Sequence, residues 1–78
     1  MSAQLQLADR SVAVGVGEVV TISAKRLPDG RMVVEFEALV LRAGEVVARG
    51  PLYDVPAAAG RKLAGALAAL VSELGVAP

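Results

Sequence analysis

Residues 56–75, with the sequence PAAAGRKLAGALAALVSELG, decide the fold of this chain because they have the periodicity of one amphipathic helix. Four leucines recur at intervals of four, three and four residues and therefore fall on one helical face: Leu63, Leu67, Leu70 and Leu74. Pro56 suits a first helical position, and Gly75 suits the left-handed residue just past a helix end. The pattern predicts a helix over residues 56–74, with Asp54 as its candidate cap.

The opposite side of this helix is unusually smooth. Between Leu63 and Ser72 the chain carries no charge, and the helix back presents small side chains: Gly65, Ala68, Ala69 and Ser72. A surface of this kind lets a second helix approach closely. Alanine is also the best helix former and costs nothing when it is exposed, so the same residues are compatible with a solvated surface.

Alternating apolar residues ahead of the helix predict strands. Residues 3–7 alternate as a short strand, and residues 8–11 suit a turn. A second strand is predicted over residues 12–26, with Gly15 and Gly17 marking a bend or bulge inside it. The alternative is a separate hairpin that turns at Gly15-Val16-Gly17.

The segment Leu27-Pro28-Asp29-Gly30-Arg31 is the strongest local signal in the chain. Pro and Asp suit the central positions of a type I turn, and Gly suits the left-handed position that completes a three-residue hairpin loop. The following strand is predicted over residues 31–42. This turn sets Ile22 opposite Phe36, which agrees with the apolar alternation of both strands, and both residues are expected beneath the helix.

A further turn is predicted at residues 42–45, leading into a strand over residues 46–53. A three-residue loop would place Ala48, Gly50 and Leu52 toward the core, whereas a two-residue loop would point Arg49 inward at a cost in free energy; the three-residue loop is therefore preferred. The predicted fold is α+β: an antiparallel meander of three or four strands with one C-terminal helix packed on one face.

The outer face of the predicted sheet changes character along its length. It is polar near Glu35 and Glu37, and it becomes apolar at Val19, Leu39 and Leu41. No element of the predicted fold covers these three apolar residues, so we expect them to lie at a contact.

Length and composition fit one small domain over residues 1–78. The chain has no cysteine, its formal net charge is zero, and 55% of its residues are apolar. A domain of this size has a small interior, so part of that apolar surface is expected at a subunit contact. The first residues lack a basic region followed by an apolar run, and no apolar run reaches the roughly 20 residues of a membrane span. We therefore expect a cytoplasmic protein.

The sequence offers little catalytic chemistry. Histidine and cysteine are both absent, which removes the commonest general base, the thiol nucleophile and the usual zinc ligands. Glu35 and Glu37 share a strand face but fit a solvated surface balanced by Lys25 and Arg49. The Gly60-Arg61-Lys62 segment lacks the glycine-rich loop of a phosphate site. We expect no enzyme activity, no cofactor and no metal.

Size and apolar surplus favour a small homo-oligomeric assembly module, with the chain itself or another protein as its partner. A subunit of a phage particle or of a secretion apparatus would fit this description. As an alternative, the order of elements is similar to that of the PC4-like single-strand binders, which implies a sheet that holds single-stranded nucleic acid. On the outer face the candidate residues for that role are Lys25, Arg31, Arg49 and Tyr53.

Overall fold

The computed structural model describes residues 6–75 and shows the predicted α+β meander. Four antiparallel strands form one sheet in the order β1-β2-β3-β4, and one helix packs on one face. The elements, in chain order, are β1 Gln6–Gly15, β2 Glu18–Arg26, β3 Met32–Arg42, β4 Glu45–Pro51 and α1 Ala57–Glu73.

The β2–β3 hairpin has the predicted turn and register. The Leu27 N–H donates to the Arg31 carbonyl at 2.8 Å, and Gly30 is left-handed with a φ of 91°. Ile22 lies opposite Phe36. The turn chemistry and the apolar alternation select the same pairing, so two independent features of the sequence specify this register.

The division of residues 3–26 is corrected by the structure. The strand predicted over 3–7 lies partly outside the described residues, and the turn predicted at residues 8–11 is absent, because β1 runs through it without interruption. The chain turns instead at Val16-Gly17, which was the alternative. This turn lets β1 pair its backbone groups with β2, whereas one strand over 12–26 would leave those of β2 without a partner on that side.

The β3–β4 connection is a two-residue turn and not the predicted three-residue loop. Ala43 and Gly44 both have positive φ, at 50° and 80°, between the paired residues Arg42 and Glu45, as in a type I′ hairpin. An irregularity follows at once, because Leu41 pairs with Val46 while Val40 pairs with Ala48. Because of this bulge, Ala48 and Gly50 lie on the helix side of the sheet and Arg49 lies on the outer side, as predicted.

The helix is one residue shorter at each end than predicted. Pro56 is its N-cap, with φ −57° and ψ 152°, and no side chain, including that of Asp54, caps the helix start. At the other end Gly75 has a φ of 68°, and its N–H donates to the Ser72 carbonyl at 3.0 Å. This geometry is the left-handed helix stop that the sequence predicts.

The core lies between α1 and the two N-terminal strands. It is built on these buried residues: Val20, Ile22, Ala24, Leu63, Leu70 and Leu74. Leu67 is half-buried at its margin. The prediction that Phe36 lies beneath the helix is wrong, because its residue surface is 37% exposed while Ile22 opposite it is fully buried. The reason is the position of α1 across the sheet.

Candidate oligomer interface

The helix covers only half of one sheet face. α1 packs against β1 and β2, and within residues 6–75 its backbone does not come close to β3 or β4. Neighbouring strands are about 4.8 Å apart and a helix with side chains is about 10 Å wide. One helix therefore spans two strands, and no other element of residues 6–75 covers the helix side of β3 and β4.

Two contacts show which flank of α1 faces this open half. Glu73 pairs with Arg10 of β1, with 2.6 Å between the carboxylate and guanidinium atoms, so the Glu73 flank points toward the β1 edge. Gly60 lies against Val55 of the segment that arrives from β4. A rotation of about 100° per residue places Leu67 and Val71 on the Gly60 flank; they therefore face β3.

The apolar residues of that flank and those on the helix side of the open strands together form one stepped surface, here called the groove. We define the groove by the residues that line it: Met32, Val34, Phe36, Leu52, Leu67 and Val71. These residues are half-buried, apart from Phe36, which is exposed. Phe36 lies on β3 with its helix-side face free, because the helix that covers the opposite residue Ile22 does not reach it. The groove is about as wide as one helix.

The predicted helix-back residues divide between two sides of α1. Gly65, Ala68, Ala69 and Ser72 are all exposed. The helical rotation puts Gly65, Ala68 and Ser72 on the side directly opposite the core, whereas Ala69 lies on the flank toward β1. The smooth back of the helix is therefore available for contact, and Ala69 belongs to a different surface.

The predicted apolar end of the outer sheet face is also present. Val19 pairs directly with Leu39, and Leu41 lies two residues further along β3 on the same face. All three are half-buried by their strand neighbours. Among the described residues no helix or strand lies over them, since α1 is on the opposite face. This patch is flatter than the groove, because no described helix borders it.

The four residues of the nucleic-acid alternative are not brought together. Lys25 lies opposite Val33, and Arg49 lies opposite Leu39, so the two cations are about 20 Å apart along the sheet. Arg31 is in the hairpin loop and forms an ion pair with its neighbour Asp29 at 2.6 Å. Tyr53, 88% exposed, follows β4.

Acidic and neutral polar residues fill the space between those cations. The outer face carries Asp9, Ser23 and Glu35 in one row and Ser11, Thr21 and Glu37 in the next. Neither glutamate forms an ion pair within the described residues. The phosphate backbone of a single-stranded nucleic acid on this face would meet the carboxylates of Asp9, Glu35 and Glu37. The outer face therefore lacks the basic groove of a single-strand binder.

Two arginines from the sheet hold the end of the helix, and sequence reasoning missed them. Arg10 forms the ion pair with Glu73, and the Arg26 Nη1 donates to the Leu74 carbonyl at 3.3 Å. Both cations lie at the negative end of the helix dipole, which they stabilise. The alternation of side chains along β1 could have revealed Arg10. In a continuous strand Arg10 lies on the same face as Val12, which is the helix side. The turn predicted at residues 8–11 placed Arg10 outside any strand and so concealed this relation.

The rest of the described chain adds no site for a metal ion. Within residues 6–75 no three acidic, histidine or cysteine residues are grouped closely enough to hold one. The one helix described there is also too short to cross a membrane. No family model, curated protein or solved structure matches the chain. Its function is therefore inferred from the surfaces described above.

Proposed function

We propose that the protein is a small, non-catalytic, cytoplasmic homo-oligomeric assembly module in which two copies bury each other's groove. The observation that carries this proposal is the open, apolar helix side of β3, with Phe36 37% exposed beside a helix that stops one strand short of it. A domain of 78 residues has little stability to spare for apolar surface in water.

A second copy of α1 fits the groove in width and in surface. The groove is about one helix wide, and the back of α1 carries small side chains at Gly65, Ala68 and Ser72, with the exposed Arg61 on the same side one turn before Gly65. A twofold axis would seat each helix in the groove of the other copy. Two helices would then lie side by side in one layer between two sheets, and both sheets would be covered across all four strands.

The area of such a contact reaches the lower end of the range for specific dimers. The 17 residues of α1 make a helix about 25 Å long and about 10 Å wide. Each helix seated in a groove buries about 250 Å² of its own surface and about 250 Å² of the groove. Two such contacts therefore bury about 1,000 Å² in total, near the lower limit for specific interfaces. The contact between the Leu67 flanks of the two helices adds to this area.

Light scattering coupled to size exclusion at micromolar concentration tests the proposal. Ala68→Glu places charge and bulk on the helix back, and we expect it to lower the mass of the wild-type oligomer. Ala68→Ser keeps the side chain small and should leave the mass unchanged. Ala68 is exposed, so neither substitution should alter the thermal stability of a monomer by more than about 0.5 kcal/mol.

A separate variant tests the outer sheet face as the contact. Leu39→Glu disrupts the apolar end of that face and leaves the groove intact, because Leu39 pairs with Val19 and Arg49 away from α1. We expect no change in mass. A lower mass for Leu39→Glu together with an unchanged mass for Ala68→Glu would reject the groove as the contact, and a monomeric wild type would reject homo-oligomerisation altogether.

A further inference from the structure

A cavity lies where the chain crosses from β4 to the start of α1. The five residues 52–56, which we call the linker, pass over the helix side of the sheet and partly enclose a volume of about 260 Å³. The apolar walls of the cavity come from the three strands β1, β2 and β3 and from the linker: Val14, Val20, Ala38, Val40, Leu52 and Val55. Only Leu52 also belongs to the groove, so the two features are separate.

The walls of this cavity are formed before any ligand arrives. Val20 is buried in the sheet, and three other wall residues pack against the core: Val14, Leu52 and Val55. An apolar cavity of about 150 Å³ holds benzene, and drug-sized ligands occupy sites of about 300–1,000 Å³. The volume of 260 Å³ therefore suits a small molecule with a short apolar chain.

The charged residues that line the cavity are both acidic. They are Glu18 and Asp54, and both are exposed. The Glu18 side chain folds over β1, since its carboxylate oxygen lies 2.8 Å from the position that a Cβ at Gly15 would occupy; Asp54 belongs to the linker. Neither carboxylate forms an ion pair within residues 6–75. The cavity therefore combines an apolar interior with two negative charges that no described cation pairs.

From this combination we infer that the cavity binds a small primary alkylammonium ion. The alkyl chain lies against the valine and leucine side chains, and the ammonium group, with three donors, lies beside Glu18 and Asp54. The helix start next to Pro56 carries a partial positive charge of about half a unit, which the two carboxylates outweigh. The exposed ring of Tyr53, next to Asp54 in the linker, is free to add a cation–π contact.

This mode of binding sets the order of affinities among simple ligands. Burial of one methylene increases affinity by up to about fourfold, so hexylammonium should bind up to about 16-fold more tightly than butylammonium. Each exposed ion pair contributes a further factor of about 1.5 to 5. Hexylammonium should therefore bind more tightly than the uncharged hexanol, and hexanoate, which the carboxylates repel, should bind most weakly.

Titration of the wild-type protein with hexylammonium, hexanol and hexanoate tests this order. Methyl signals in proton–carbon NMR spectra report both the affinity and the place of binding. We expect shifts at three valines of the cavity: Val14, Val20 and Val40. Val33, on the outer face opposite Lys25, should not shift. Equal affinity for hexylammonium and hexanol, or tighter binding of hexanoate, would overturn the inference.

Substitutions that remove one charge and keep the side-chain shape test the two carboxylates. Glu18→Gln and Asp54→Asn should each weaken hexylammonium binding by about 1.5- to 5-fold and leave hexanol binding unchanged. Glu35→Gln is the matched control, because it removes the same charge from the outer face. In about 0.15 M salt, where screening acts over about 8 Å, it should have no effect. An equal effect of all three substitutions would contradict a local contact.

Ala38→Leu tests the cavity itself. Ala38 lies in the middle of the sheet, paired with Val20 and Gly50, and a larger side chain there fills the cavity. We expect the variant to lose binding of hexylammonium and of hexanol alike. Thermal unfolding checks that it folds, and the two charge variants carry the test if it does not.

The outcomes for the cavity and for the groove contact are distinct. Methyl shifts at Met32 and Val34 without shifts at Val14 and Val20 would place the ligand in the groove and overturn the cavity site. An oligomeric wild type in which no ligand shifts any cavity methyl would likewise overturn the cavity site and leave the groove contact standing. A monomeric wild type that binds hexylammonium in the expected order would support the cavity site and reject homo-oligomerisation.

Discussion

Leu70→Ala is the sharpest test of the core, because Leu70 is fully buried between α1 and the sheet. Truncation of a buried leucine removes its transfer free energy and leaves a cavity, at a cost of about 2.7–5.0 kcal/mol. Leu70 belongs to the same buried cluster as Ile22, which is also fully buried, and this close packing limits collapse of the site, so we expect a cost of about 3–4 kcal/mol. A chain of 78 residues has a total stability of about 4–12 kcal/mol, and the variant loses a large part of it.

Urea unfolding followed by far-ultraviolet circular dichroism measures this loss. With a slope of about 1–1.5 kcal/mol per molar urea, the midpoint should fall by about 2–4 M without a change in slope. Leu67→Ala is the matched control, since it makes the same truncation on the same helix at a half-buried position. We expect it to cost less than half as much at concentrations where the protein is a monomer.

The protein concentration should change the cost of one of these two substitutions and not of the other. The cost of Leu67→Ala should increase when the protein associates, because Leu67 lines the groove, whereas the cost of Leu70→Ala should not. Equal costs at the two positions in the monomer would show that the helix faces the sheet differently from the structure. A near-neutral Leu70→Ala would refute the assignment of the core itself.

Three further predictions concern the turns and the helix end. Gly17→Ala should lower the melting temperature more than Gly30→Ala, since both have positive φ but only at Gly17 would a Cβ lie 2.9 Å from a β3 carbonyl oxygen; the backbone term alone is about 1–2 kcal/mol. Ala43→Asn should stabilise the protein by up to about 1 kcal/mol in urea unfolding, because asparagine tolerates the positive φ of that turn. A double-mutant cycle on Arg10 and Glu73, both about half exposed, should give about 0.2–1 kcal/mol of coupling that decreases in salt.

Local chemistry made part of the fold predictable. The segment Leu27–Arg31 specifies its own turn, and a turn of known length fixes which residues of β2 and β3 face each other. The leucine spacing of residues 63–74 likewise specifies a helix and its apolar face, because both depend only on residues three or four apart. These features needed no knowledge of distant contacts.

The choice between two turns near the N-terminus was not local. Leu7 and Val12 have opposite parity, and a turn between them would have put both on one face. In the structure β1 is continuous, and Leu7 is on the outer face, 66% exposed. Pairing of the whole strand with β2 outweighs the burial of one leucine, since each buried backbone group left without a hydrogen bond costs about 1–3 kcal/mol.

The sequence by itself determined the class of fold, the β2–β3 register and the apolar face of the helix, because these follow from short-range periodicity and turn chemistry. Only the tertiary structure decided which strands the helix covers. The five residues 52–56 can span about 16 Å, which carries the chain across two strands and up one layer to β1 and β2. That crossing leaves Phe36 outside the core and creates the groove, and no pattern of neighbouring residues encodes it.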